Sequence, residues 1–223
     1  MLPRSTASED YVVKQERAHQ TRRALLRAAA SEFYEHGYAG TSLSRVTKRA
    51  GTTMGALTFH FPTKGELADA VSRDGAEAVH TTLRSEAAGA PPGLQGIIDL
   101  THTLARLLEG EPVVRASARL AREREGADAT WYSAWAPVLR EQLDHAQQDG
   151  RPATDAGRRA ITALVQHLVV GSEVTMQTTF PLTQPRAATA REQLASIWEL
   201  LLSDVLPAPA VSRLDPRGSR ALT

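Results

Sequence analysis

Between Thr41 and Lys64 the chain gathers Thr41, Ser42, Arg45, Thr52, Thr53, Met54, Gly55, Thr58, His60 and Lys64. Hydroxyls and helix-start amides donate to phosphate oxygens, and a cation neutralises them. Glycine lets a backbone approach closely. The chemistry these residues share is recognition of a polyanion rather than bond making. Elsewhere the sequence offers little for catalysis. The seven histidines (19, 36, 60, 80, 102, 145 and 167) are scattered, with no His-Glu-x-x-His pair. There is no Gly-rich phosphate loop and no nucleophile elbow. The absence of cysteine excludes thiolate nucleophiles, disulfides and cysteine metal sites. Asp99 and His102, one turn apart, and the run Arg122, Glu123, Glu125 read as solvated helix surface. The expectation is a protein that is no enzyme and uses no metal or cofactor.

The elements that must position these residues are helices, since almost every apolar pattern in the 223 residues has the helical period. A first helix from Arg17 to about His36 places Leu25, Leu26, Ala29, Ala30 and Phe33 on one face and ends at Gly37. Thr41 or Ser42 caps a short helix carrying Leu43, Val46 and Ala50, which Gly51 ends. Thr53 caps a third, Met54 to His60, closed by Phe61-Pro62. Two helices at 42–50 and 54–60 joined by a Gly-led turn have the spacing of a helix-turn-helix. The second needs only enough length to lay its first turn against base edges in a major groove. A plain helical hairpin has the same spacing.

Thr63 and Glu66 form a capping box for a fourth helix to about Leu83. Residues 87–93 read as a linker, and helices follow at 94–109, from Pro112 to about Arg124, at 130–148, 154–178 and 186–206. The fold class is all-α with about nine helices. An N-terminal three-helix DNA-binding unit occupies residues 1–64 (core about 17–64), and a ligand-binding and dimerisation domain occupies 65–206. Residues 207–223, with three prolines and no period, read as a disordered tail.

Net charge is only +1, but residues 1–64 carry ten basic and five acidic residues, while the rest carry 16 and 20. A basic front and an acidic back point the front at a polyanion. The 23 arginines against three lysines reflect coding composition rather than function. The N-terminus has no apolar leader, and the apolar run around 161–170 is about half a bilayer span. A cytoplasmic protein without membrane contact is expected.

Residues 21–71 resemble the DNA-binding domain of TetR-family transcriptional regulators. The landmarks are an Ala-rich first helix ending "FYEHGY", then "TSL", "AGTTMGALTFHF" and "KGEL". "KQERAHQTRRALLRAAASEFYEHGYAGTS", "GALTFHF", "EPVVRASARLAREREG" and "TWYSAW" further resemble the γ-butyrolactone receptors and pseudo-receptors that control antibiotic production in bacteria. The resemblance implies a homodimeric repressor on a palindromic double-stranded DNA operator, released by a small-molecule effector. Met54 stands where relatives carry lysine, and Thr58 where they carry tyrosine, which removes a charged and a phenolic backbone contact. An orphan helical module with impaired DNA binding is the alternative.

In the second half, Trp131 and Trp135 lie one turn apart on a shared face. The resemblance makes Trp135 the residue that lines the effector cavity. Thr162, Gln166 and Thr175, with His167 and Ser172, supply polar groups on the long helix. Val170 stands where relatives carry a threonine. Leu194, Ile197, Trp198, Leu201 and Leu202 form a broad apolar stripe on the last helix. That stripe serves either a two-fold dimer or packing within its own domain.

Overall fold

The computed structural model describes residues 6–87, 91–148, 154–177, 189–205 and 214–219. Among them ten helices and no strand are found, so the all-α expectation holds. They are α1 (Thr6–Gly40), α2 (Leu43–Ala50), α3 (Met54–His60), α4 (Lys64–Ala87) and α5 (Leu94–Gly110), then α6 (Pro112–Glu123), α7 (Ala127–Ser133), α8 (Ala136–Gln148), α9 (Asp155–Gln177) and α10 (Ala190–Val205).

Local chemistry explains most boundaries. Gly51 adopts the left-handed conformation (φ 63°) that ends α2. Thr53 accepts from the Ala56 N–H at 3.1 Å and caps α3. Thr63 Oγ1 accepts from the Glu66 N–H at 3.1 Å at the start of α4. Pro112 occupies the first turn of α6, where its missing N–H costs nothing.

Two expectations fail. The helix read at 130–148 is two helices broken around Ala134 and Trp135, whose N–H groups bond back three residues, to Trp131 and Tyr132. Residues 126–129, left outside the helices expected on either side, already begin α7 at Ala127, with Gly126 at φ 77° before it. The first helix also starts earlier, at Thr6 rather than Arg17. Gly37 does interrupt it, with φ 71° and ψ 176°, a conformation essentially restricted to glycine.

Two cores form. One gathers Leu25, Ala29 and Phe33 of α1 with Val46, Leu57 and Phe61. It continues into Leu67 and Val71 of α4 and takes Ala116 and Leu120 from α6. Packing therefore runs across residue 64, where the sequence shows a change of charge rather than a seam. The second core joins α5 to α8, α9 and α10 around Ile97, Leu104, Trp131, Trp135, Val165 and Trp198. Helix α6 belongs to both, packing along α1 and α4 on one side and against α9 on the other.

The tail is not wholly without structure. Residues 214–219 dock on α5: Gln95 exchanges hydrogen bonds with the Asp215 backbone at 2.8 and 3.1 Å. His102 Nε2 meets the Pro216 carbonyl at 2.8 Å, and the Ser219 N–H donates to Asp99 at 2.8 Å. Asp99 and His102, read from sequence as solvated, thus form a receptor for the tail. The remaining tail residues, like the expected start of the last helix at 186, lie outside the described residues.

Candidate nucleic-acid interface and effector domain

Helix α2 is fastened to α1 by charge. Glu32, buried on α1, receives Arg45 Nε at 2.9 Å and Arg49 Nε at 3.2 Å. Arg49 also grips Glu35 through two bonds of 2.7 Å, and this bonding holds the Glu35 carboxyl below its usual range. Arg45 further donates to the Gly40 carbonyl. Arg45, expected against phosphate, keeps about half of its side chain exposed while its guanidinium also positions the turn. Thr41 is corrected, being buried with its hydroxyl donating to the carbonyls of Glu32 (2.9 Å) and Gly37 (2.7 Å).

Other expected contacts do reach the outside. Ser42 is the N-cap of α2 without a side-chain cap bond, and is half-buried. Thr52 is half-buried, while Thr53, Met54, Gly55 and Thr58 are exposed. The Thr58 hydroxyl, however, donates to the Met54 and Gly55 carbonyls, each at 3.1 Å. His60 is half-buried beside Arg22 and His19; burial first, then their charges, hold its pKa below the ordinary histidine value. Lys64 donates to the Ala39 carbonyl at 3.2 Å and stands 4.7 Å above the Tyr38 ring. Burial, and then Arg45, lower its pKa.

Sequence reasoning passed over Phe59, whose side chain is 80% exposed on α3. The signal was present: Leu57 and Phe61 anchor the helix inward, and residue 59 falls on the opposite side of both.

Beyond the shared core, polar bonds at the end of α6 fasten the head to the second domain. The Tyr38 N–H donates to Glu123 Oε2 at 2.6 Å, and Arg119 donates to the Tyr34 carbonyl at 2.5 Å. Arg119 and Glu123 also pair at 2.6 Å. Arg124 stacks over Tyr38 at 4.8 Å and bonds Asp69 of α4 at 2.6 Å. From the same turn of α6, Arg122 reaches the buried Glu173 of α9 at 2.6 Å. One helical turn thus holds α1, α4 and α9 together. Nothing in the sequence spacing reveals these partners, which are 51 to 85 residues apart.

In the second domain Trp131 and Trp135 are both buried, and Tyr132 meets Trp135 edge-on at 5.5 Å. The Trp135 indole N–H has no acceptor among the described residues. On α9, Gln166, Val170 and Thr175 are half-buried; Thr162 is exposed, and its hydroxyl bonds the Arg158 carbonyl at 2.8 Å. Thr175 bonds Gly171 at 2.5 Å. A cleft of about 600 Å³ lies at the seam of α4 with the α6–α7 turn, lined by Glu66, Asp69, Arg73, Arg124, Glu125 and Thr130. It is polar and contains neither tryptophan.

The α10 stripe divides. Leu194, Trp198 and Leu202 are buried against the protomer's own core, and Trp198 donates its indole N–H to Thr101 at 3.0 Å. These three take the second of the two roles open to the stripe, packing within their own domain. Ile197 (39% exposed) and Leu200 (64%) face outward, with Leu201 half-buried.

A short second helix on a charge-pinned turn, carried by a basic head and joined to a separate helical domain, defines a DNA-binding regulator. Residues 25–71 match the family "Bacterial regulatory proteins, tetR family". The A-factor receptor protein of Streptomyces griseus is 29% identical over 211 residues, 93% of this chain and 71% of that one. A crystal structure of a γ-butyrolactone receptor (ArpA-like protein) superposes with a TM-score of 0.71 at 28% identity, covering 88% of this chain and 94% of that one. That of tylp, a TetR regulator from Streptomyces fradiae, is 31% identical with a TM-score of 0.61, covering 89% and 92%. The chain belongs to the TetR family of transcriptional regulators, which are not enzymes. No helix among the described residues is long and apolar enough to cross a membrane.

Proposed function

We propose that the protein is a homodimeric repressor that binds a palindromic operator in the cytoplasm and is released by a small signalling molecule of the γ-butyrolactone type, or by an antibiotic or its precursor. Its targets are secondary-metabolite genes. The observation that carries this reading is the single turn Arg119–Arg124. Its side chains hold the DNA-binding head through Tyr34, Tyr38 and Asp69 and the effector domain through Glu173.

A ligand that shifts α9 or the Trp135 region pulls on Arg122, and the same turn moves Glu123 and Arg124 against the head. Altered spacing of two heads then weakens binding to a fixed operator. A coupling of about 1–3 kcal/mol is typical and suffices for a 5- to 150-fold change. The buried Trp135 N–H, unpaired among the described residues, supports a ligand acceptor here, since such a donor costs about 1–3 kcal/mol until it is satisfied. Likeness to an A-factor receptor and a γ-butyrolactone receptor supports the ligand class. Two-fold assembly rests on the outward Ile197 and Leu200, and on the few base pairs that one seven-residue helix spans.

The test is a gel-shift with DNA from upstream of the protein's own gene, titrated with a γ-butyrolactone and with an extract of the producing strain. Release by either supports the repressor, and the agent that works identifies the effector class. Binding that neither agent disturbs removes the ligand-responsive part. Absence of binding, with the protein folded, leaves a helical interaction module without DNA function.

A further inference from the structure

The outward face of α3 is apolar in an otherwise basic head. Residues 54, 55, 58 and 59 span about 140° of the helix, with Met54 and Phe59 at its two edges. Met54 is 43% and Phe59 80% exposed, and both stand among the exposed large apolar side chains of the protein. Between them the floor is low: Gly55 has no side chain, and its nearest neighbour is Thr53 Oγ1, 3.9 Å from where a Cβ would stand. The polar groups that share the helix are committed elsewhere. Thr58 donates to its own backbone, Thr53 accepts from the Ala56 N–H, and His60 is half-buried beside Arg22.

We infer that α3 recognises the C5-methyl groups of thymine, with Met54 and Phe59 as the specificity-determining side chains. The inference rests on the reading that α3 enters the major groove. Each base pair displays a distinct edge there, and thymine alone displays an apolar group, its methyl. A helix face built from a thioether and a phenyl ring offers no strong hydrogen-bond fork to guanine or adenine, and it gains by covering that methyl. Charge complementarity commits the face to a nucleic acid rather than a protein groove. Residues 1–64 carry ten basic and five acidic residues, and Arg23, Arg27 and Lys48 are exposed on α1 and α2. Phosphates are held by those cations, while α3 itself contributes shape and apolar area.

The experiment starts from a duplex that the full-length protein selects from a random-sequence pool, with its contacts mapped by footprinting. Thymine is then replaced by deoxyuridine, which removes only the C5-methyl, first at all positions and then singly under each half-site. Burial of one methyl is worth about fourfold in affinity. Loss of about fourfold per half-site is expected, about fifteenfold for the symmetric pair. Met54→Leu keeps this sensitivity. Met54→Ala with Phe59→Ala abolishes it, and Met54→Lys moves the preferred base toward guanine, whose O6 and N7 accept from a cation. All four positions substituted or flanking are exposed, and circular dichroism verifies that the variants remain helical. A footprint with equal affinity for thymine and deoxyuridine duplexes overturns apolar readout while leaving DNA binding intact. Failure to select any duplex overturns both.

Discussion

Arg122 and Glu173 make the clearest residue-scale case for a side chain that ties two helices together, α6 beside the head and α9 of the effector domain. Glu173 is 2% exposed and receives the guanidinium at 2.6 and 2.9 Å, whereas Arg122 itself keeps a third of its surface in water. Breaking a buried ion pair costs about 3–5 kcal/mol when both charges are fully buried, and less where the remaining charge keeps another contact, as Glu173 does. With a half-solvated arginine, Arg122→Ala should cost about 2 kcal/mol in urea unfolding. The double variant Arg122→Met with Glu173→Leu should recover most of that, because two apolar side chains need no partner. Effector response should be lost in both. A coupling role therefore separates from a stability role by comparing release of DNA with the unfolding midpoint.

At the scale of elements, the bend in α1 is the junction on which the head hangs. Gly37 has φ 71° and ψ 176°, and a Cβ there would lie 2.6 Å from Glu123 and 2.8 Å from Arg119. Such a conformation costs a non-glycine residue about 1–3 kcal/mol before any displaced side chain is counted. Gly37→Ala is expected to lower stability by about 2–4 kcal/mol and to release the Tyr38 N–H from Glu123, visible as faster amide exchange at Tyr38. A second element, the tail segment 214–219, leans on His102. Burial pushes the His102 pKa below its ordinary value, while the Pro216 carbonyl and Asp99 pull it back up. A histidine depressed in the folded state binds fewer protons there than when unfolded. Its contribution to stability is therefore full above pH about 6.5 and is lost as pH falls below it. Between pH 7.5 and 5.5 the native chain should lose more stability in urea than His102→Gln, which keeps a donor for Pro216 without a titrating ring.

For the whole molecule, the proposed two-fold assembly rests on the outward side of α10. Ile197 and Leu200 present apolar surface to solvent, while Leu194, Trp198 and Leu202 on the same helix are already enclosed. A charge at position 200 leaves the protomer core untouched. Leu200→Arg should therefore yield a folded monomer in sedimentation, with a Tm near that of the parent. Operator affinity should fall by about 100-fold or more, because two half-sites are no longer joined. The dependence of log affinity on log salt should also flatten to about half its slope, since that slope counts neutralised phosphates. An unchanged sedimentation coefficient would move the interface elsewhere.

The sequence by itself determined the all-α class, the helix-turn-helix, most helix ends and the family. Those depend on local chemistry: apolar positions at the helical period, Gly51 and Gly37 where positive φ is needed, and caps at Thr53 and Thr63. The same logic put Trp131 and Trp135 one turn apart on a shared face, but did not show the break between α7 and α8 that falls there. Only the tertiary structure decided which polar groups remain free. Thr41 has the composition of a phosphate contact, yet neighbours on α1 consume it, as Asp99 and His102 are consumed by the tail. It also divided the α10 stripe into a core side and an outer side, and joined Arg122 to a carboxylate 51 residues away. Period and composition describe what a side chain can do. Partners distant in the chain decide what it does, because hydrogen bonds and ion pairs form only between groups that packing brings within about 3 Å.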